Sequence, residues 1–284
     1  MKTPKLLIIA GSDPTSGAGI QSDCLTAYSL DVYPMTVVTS ITVQNDMGVH
    51  QRHDLEPELV MAQLEGLLSR FQFDAVKIGM LGNANILSAV SDCLSKYRDK
   101  IGPVILDPVL KASNAFTLSD DSMILLLREK LMPLLELMTP NLNEYVHIFH
   151  AQTKKRIPAL ADVFSRDFIP PDTASCHLLI KGGHFEDTAC DYLLLKGTNT
   201  LIPFRGSLLK VAFSHGTGCT LSTAIASFLI RGESLDTAIA KAKAYLRDGL
   251  VNPHLFEPQY GAICKRPPSL DSIKSQEKPY ELKA

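Results

Sequence analysis

The stretch Ser214-His215-Gly216-Thr217-Gly218-Cys219-Thr220-Leu221-Ser222 places two glycines around a threonine and a cysteine directly after them. Leu221, Ala224, Ile225, Phe228 and Leu229 fall at i, i+3, i+4, i+7 and i+8, which predicts a helix over roughly 217–230. A glycine turn that feeds a helix leaves several backbone N–H groups without intrahelical partners, at the positive end of the helix dipole. Such a turn can hold a phosphate, or the charge that builds up during phosphoryl transfer. Cys219 falls in the first turn, where the same field is expected to favour thiolate over thiol. Each feature also has a structural reading, the turn as a packing device and the cysteine as a small buried hydrophobe.

The turn needs a scaffold, and short apolar runs alternating with amphipathic stretches supply one. Strands are expected at Leu6–Ala10, Met35–Val43, Ala75–Ile78, Val104–Asp107, Leu137–Thr139 and His177–Lys181. Helices are expected over roughly 18–30, 57–70, 84–97, 217–230 and 234–250, and hairpin-like β segments between 191 and 213. Alternating strands and helices imply an α/β three-layer αβα sandwich, with a mostly parallel central sheet and a small antiparallel edge. Ligands in such sheets bind beyond the carboxyl ends of the strands. Gly11, Gln44, Gly79, Asp107, Asn141 and Lys181 each lie at or just after the end of an expected strand.

The chain has 284 residues, 45% of them hydrophobic, and a formal net charge of −2. That balance gives no reason to expect nucleic-acid binding or an anionic membrane surface. No apolar run approaches the ~18 residues of a membrane-spanning helix, and five apolar residues before Gly11 are too few for a signal peptide. The six cysteines form no CxxC pair, so they read as reduced thiols in a cytoplasmic enzyme without a structural zinc. Residues 1–264 read as one domain, and 265–284 as a polar tail whose composition favours disorder.

Seven motifs occur in order. They are Ala10-Gly11-Ser12-Asp13-Pro14 with Ser16 to Gln21 and Asp23; Val43-Gln44-Asn45; Val76-Lys77-Ile78-Gly79-Met80-Leu81; Leu106-Asp107-Pro108-Val109; Thr139-Pro140-Asn141-Leu142-Asn143-Glu144; Lys181-Gly182-Gly183-His184; and His215 to Thr220. Together they resemble the hydroxymethylpyrimidine/phosphomethylpyrimidine kinases of thiamin biosynthesis, within the ribokinase-like superfamily, over roughly residues 5–250. The resemblance implies an ATP- and Mg²⁺-dependent kinase that assembles as a homodimer. It implies that Asp107 and Glu144 serve the metal, largely through water, in keeping with the one or two carboxylates Mg²⁺ needs. Asn141, Lys181, His215 and Thr217 would contact nucleotide. Gly216, Thr217 and Gly218 would receive the transferred phosphoryl group with Lys181, and Cys219 would act as base.

On the substrate side, the amide of Gln44 offers a donor and an acceptor side by side, matching an aminopyrimidine edge. Asp23 would hold the substrate hydroxyl or a ring nitrogen, or is an ordinary acid on a helix face. Gly11, Met80 and Val109 would line the ring pocket. The chain departs from the family after Val109, where Ser113-Asn114-Ala115 stands in place of a Lys-Ser-Gly-like run and Lys111 precedes it. The nearest alternative is a pyridoxal kinase, and a second is a weakly catalytic vitamin-intermediate sensor. An NAD-dependent oxidoreductase is disfavoured, because Gly11-Ser12-Asp13 lacks the dinucleotide glycine spacing.

Overall fold

The computed structural model describes residues 3–110, 121–150, 175–182, 189–198, 200–206, 209, 211, 214–257 and 260–263. Their centre is a nine-stranded sheet in the order β3-β2-β1-β4-β5-β6-β7-β8-β9. Its strands are β1 (Lys5–Ser12), β2 (Tyr33–Asn45), β3 (Gly48–Asp54), β4 (Ala75–Ile78), β5 (Val104–Leu106), β6 (Leu137–Met138), β7 (His177–Ile180), β8 (Ala189–Leu194) and β9 (Leu201–Gly206). The strands from β2 through β1, β4, β5 and β6 to β7 run parallel, while β3 pairs antiparallel with β2, β8 with β7, and β9 with β8.

Alternation along the central strands sorts the core onto two faces. Leu7, Ile9, Val76, Ile78, Leu106 and Met138 join one buried cluster, which packs beneath α2 (Pro57–Leu68) and α3 (Ala84–Lys96). Leu6, Ile8, Ala75, Ile105, Leu137 and Leu179 join the other. Against that second face lie α1 (Gly19–Ser29) and, later in the chain, α6 (Thr217–Ile230) and α7 (Leu235–Val251). Between these come α4 (Asp121–Leu126) and α5 (Leu142–His150). This is the three-layer, mostly parallel α/β fold that strand–helix alternation implies.

Chain order reverses between β1 and β4: from β1 the chain goes to β2 and β3 on one side, then returns to β4 on the other. The carboxyl ends of β1 and β4, carrying Gly11 and Gly79, therefore flank the switch point at which such sheets bind ligands. The structure differs from expectation at the edges. β2 runs on to Asn45 and turns through Asp46-Met47 into β3, so antiparallel strands border the sheet at both ends. A second, two-stranded sheet pairs β10 (His254–Glu257) with β11 (Tyr260–Ala262). Both hairpins were missed because their strands alternate weakly and their turns lack the Asn-Gly signal. The expectations for Lys111 to Ala115, Gly183, His184, residues 212 and 213 of the hairpin segment, and the tail lie outside the described residues.

Candidate active site

Gly216 caps α6 with φ +80° and ψ 0°, and no side chain caps the helix. The left-handed turn is pressed onto the β1–α1 loop: a methyl on Gly216 would lie 1.8 Å from the Gly17 carbonyl oxygen. Two residues on, a methyl on Gly218 would lie 2.7 Å from Asp107 Oδ2 and 3.4 Å from Lys181 Nζ. The anion turn, a strand-end carboxylate and a strand-end ammonium thus meet at one point. Thr217 spends its hydroxyl on the Ser214 carbonyl at 2.9 Å, which shapes the turn.

Asp107 follows β5, and its backbone N–H still donates to Ile78. Its Oδ1 accepts from Lys181 Nζ at 2.7 Å and from the Thr139 hydroxyl at 3.1 Å. Asn141 and Glu144 form a reciprocal cap on α5, the Asn141 N–H donating to Glu144 Oε2 at 2.8 Å and the Glu144 N–H to Asn141 Oδ1 at 2.9 Å. Burial pushes the Glu144 carboxyl up to about 7, with Lys181 pulling it down and Asp107 adding to the rise. Burial works against the Lys181 ammonium, but Asp107 and Glu144 hold it charged, above the ordinary lysine range. Two carboxylates therefore share one ammonium.

The raised Glu144 carboxyl has a consequence for stability. A carboxyl whose folded-state pKa exceeds its unfolded value favours the fold below the unfolded value and loses that contribution as pH rises through the folded one. Here the window runs from 4.5 to about 7. Glu144→Gln keeps the capping acceptor without the charge. The ligand-free variant is expected to be more stable than the parent at pH 8, by up to about 3 kcal/mol, with the difference vanishing near pH 4.5. Calorimetric melting of both proteins across that range checks this.

At the switch point a methyl on Gly11 would meet Met80 Cε at 2.2 Å, so the Met80 thioether lies directly over the Gly11 backbone. Gln44 reaches towards the anion turn, its Nε2 lying 3.4 Å from His215 Nε2. His215 in turn lies 2.9 Å from Asp13 Oδ2. Asp13 also accepts from Thr15 N at 2.8 Å, from the Thr15 hydroxyl at 2.7 Å and from Ala18 N at 2.9 Å, which clamps the β1–α1 loop. Burial raises the Asp13 carboxyl, yet His215 and Thr15 outweigh it and hold the group below the ordinary carboxylate range. Val109 lies half-buried two residues after Asp107.

Two expectations need correction. Asp23, expected either to hold the substrate or to be an ordinary acid on a helix face, is fully buried, with Lys77 Nζ 2.6 Å from Oδ2 and the Thr223 hydroxyl 2.7 Å from Oδ1. The inward face of α1 directs it at the sheet. Cys219, expected to favour thiolate, is driven the other way. Burial pushes its thiol up to about 11, Lys77 and the Gly19 N–H oppose the rise, and Asp23 and Asp107 reinforce it. One helix terminus does not offset that desolvation. The sequence reading passed over Asp13 and Lys77, although both stand in its motifs. A lysine within an otherwise apolar four-residue strand was the signal available for the second.

Comparison with known proteins bears on the whole arrangement. The family model described as phosphomethylpyrimidine kinase matches residues 13–263. The hydroxymethylpyrimidine/phosphomethylpyrimidine kinase of Escherichia coli (strain K12) is 34% identical over 265 residues, covering 92% of this chain and 96% of that protein. The chain spans only 47% of a bifunctional thiamine biosynthetic enzyme of Arabidopsis thaliana, to which it is 32% identical. Among solved structures, a phosphomethylpyrimidine kinase of Clostridium difficile is similar with a TM-score of 0.69 at 30% identity, covering 87% of this chain and 99% of that one. A Bacillus subtilis pyridoxal kinase in complex with ADP is similar with a TM-score of 0.76 at 25% identity, covering 92% and 96%. With the family model spanning nearly the entire described sheet and the site at its switch point, the chain belongs to the phosphomethylpyrimidine kinase family.

Proposed function

We propose that this protein transfers the γ-phosphoryl group of ATP to the hydroxymethyl oxygen of hydroxymethylpyrimidine, and then phosphorylates the resulting monophosphate. The observation that carries the reading is the convergence of the Gly216–Cys219 turn, Asp107 and Lys181 around Gly218. Phosphoryl transfer asks mainly for positioning and charge neutralisation. Backbone N–H groups of the turn would receive the equatorial oxygens, and Lys181 would neutralise the leaving side. Asn141, His215 and Thr217 would position the nucleotide. In the first transfer the substrate O–H bond breaks, its proton goes to Cys219 Sγ, and the oxygen bonds to the γ-phosphorus as ADP leaves. Gln44 would read the aminopyrimidine edge, with Gly11, Met80 and Val109 around the ring.

Asp107 and Glu144 fit a Mg²⁺ site. They are two hard oxygen donors, and their mutual repulsion contributes to the raised Glu144 carboxyl. Bound there with nucleotide phosphates, Mg²⁺ would supply charge neutralisation. Asp107 is also one of the groups holding the Cys219 thiol up, so neutralising Asp107 moves Cys219 towards thiolate.

Pyridoxal phosphorylation is the second reading, favoured by the likeness to the pyridoxal kinase fold. ATP consumption with Mg²⁺ separates the two, offering hydroxymethylpyrimidine, its monophosphate and pyridoxal in parallel. Use of both pyrimidines is the expected result, and turnover of pyridoxal alone would overturn it. A homodimer completes the proposal, and the protein would work in the cytoplasm. Ile41 and Val43, each 51% exposed, and Met47 at 78% leave apolar surface on the β2–β3 hairpin, suited to a second copy. Val43→Lys is expected to shift sedimentation equilibrium from dimer to monomer; an unchanged dimer would place the contact elsewhere.

A further inference from the structure

The helices α1 and α6 run side by side in rungs. Gly19, the first residue of α1, donates its N–H to Cys219 in the first turn of α6. Four residues on in each helix, one turn deeper, Asp23 of α1 meets the Thr223 hydroxyl of α6 at 2.7 Å. Lys77 rises from β4 on the same sheet face as Ala75 and closes this second rung, its ammonium 2.6 Å from Asp23. Both charged side chains are 0% exposed. Gly79 keeps the space open, since a methyl there would lie 3.0 Å from Lys77 Nζ. Such a pair is a poor way to stabilise a core: desolvation costs several kcal/mol per ion, and apolar residues of similar volume do as well or better. Its position one turn beneath the reactive sulfur is what calls for a role.

We propose that Lys77 is a positioning residue for the first phosphoryl transfer: its ammonium, held in place by Asp23 and Thr223, is the buried counter-charge for the Cys219 thiolate that removes the substrate proton. The charged groups acting on the sulfur are Lys77 from β4, Asp23 from α1, and Asp107 and Lys181 from the strand ends. Of the two cations Lys77 does most to lower the cost of a charge on Cys219, while the two aspartates raise it. Asp23 is thus both the anchor of the ammonium and a brake on it, which gives the proposal a signature in sign.

The test is alkylation of Cys219 by iodoacetamide in the full-length, ligand-free protein at pH 9, read residue by residue through peptide mass spectrometry. Below the titration midpoint the rate follows the thiolate fraction. Lys77→Met removes the counter-charge and is expected to slow the reaction about tenfold. Asp23→Asn removes the competing carboxylate while its side-chain carbonyl still accepts from Lys77, whose charge Cys219 and Asp107 continue to favour, and is expected to speed it about tenfold, one pKa unit in either direction. A packing defect loosens the same helix pair in both variants and moves both rates the same way. Shifts of one sign, or no shift in either folded variant, would overturn the proposal. If Lys77→Met does not fold, the rise in Asp23→Asn is the test, and an unchanged or slower rate overturns it. The proposal rests on Cys219 acting as the base. Intact first-step activity in Cys219→Ala would remove that footing, whereas an inactive Cys219→Ala beside absent opposite-sign shifts would remove the role of Lys77 alone.

Discussion

Cys219→Ala is expected to lower phosphorylation of hydroxymethylpyrimidine by about 10²–10⁴-fold, the usual contribution of a positioned general base. Phosphorylation of the monophosphate is expected to fall far less. The asymmetry comes from the nucleophiles: a hydroxymethyl O–H must lose its proton, while the phosphate oxygen of the second reaction is already deprotonated near neutral pH. Cys219 is half-buried at the mouth of the anion turn, so a methyl in its place disturbs little packing. A thiol held at about 11 in the ligand-free protein also gives the first step a pH profile. Its rate should climb on the alkaline side, where the thiolate fraction grows, and Cys219→Ala should flatten that limb. Steady-state rates for the two substrates between pH 6 and 10 decide the matter. An equal loss in both steps would make Cys219 a part of the phosphate cradle rather than a base.

Gly216→Ala is expected to be the most damaging single methyl in the described part of the chain. The residue sits at φ +80°, where a side chain costs about 1–2 kcal/mol. Its Cβ would also fall 1.8 Å from the Gly17 carbonyl oxygen, a backbone atom that cannot swing aside. Forcing the two segments apart adds about 1–3 kcal/mol and tilts the turn away from Asp107 and Lys181. A fall in melting temperature of several degrees, together with a loss of kcat of about 10²–10³-fold, follows if the turn holds the developing charge. Gly232→Ala is the control. Gly232 has φ +84° with nothing within 4 Å of its missing Cβ, so that variant bears the strain alone and keeps its activity. Matching activities in the two variants would show that the turn's position does not govern the transfer.

The two helices bounding the site illustrate how far local signals reach. The span expected for α6 agrees with the helix from Thr217 to Ile230, because a glycine start and apolar residues at i, i+3, i+4, i+7 and i+8 are both local properties of the chain. The strand ends carrying Asp107, Asn141 and Lys181 were legible for the same reason, since short apolar runs stop at proline or glycine. The β2–β3 hairpin was not legible: its residues alternate between a buried and an exposed face that still carries Ile41 and Val43, so hydrophobicity alone gives no period to read.

What the sequence by itself determined is the order of elements, the α/β class and the placing of glycines, acids and one cysteine at strand ends and helix starts. Each of these is set by steric limits and solvent contrast acting over a few residues. What only the tertiary structure decided is which of those groups lost water and which found partners. Asp23 and Lys77 are 54 positions apart, and their pairing depends on α1 packing over β1, the neighbour of β4 in the sheet. The same packing buried Asp23 and raised the Cys219 thiol against the helix field. A charge's behaviour follows from the dielectric and partners around it in three dimensions, and those are contributed by segments that no local pattern connects.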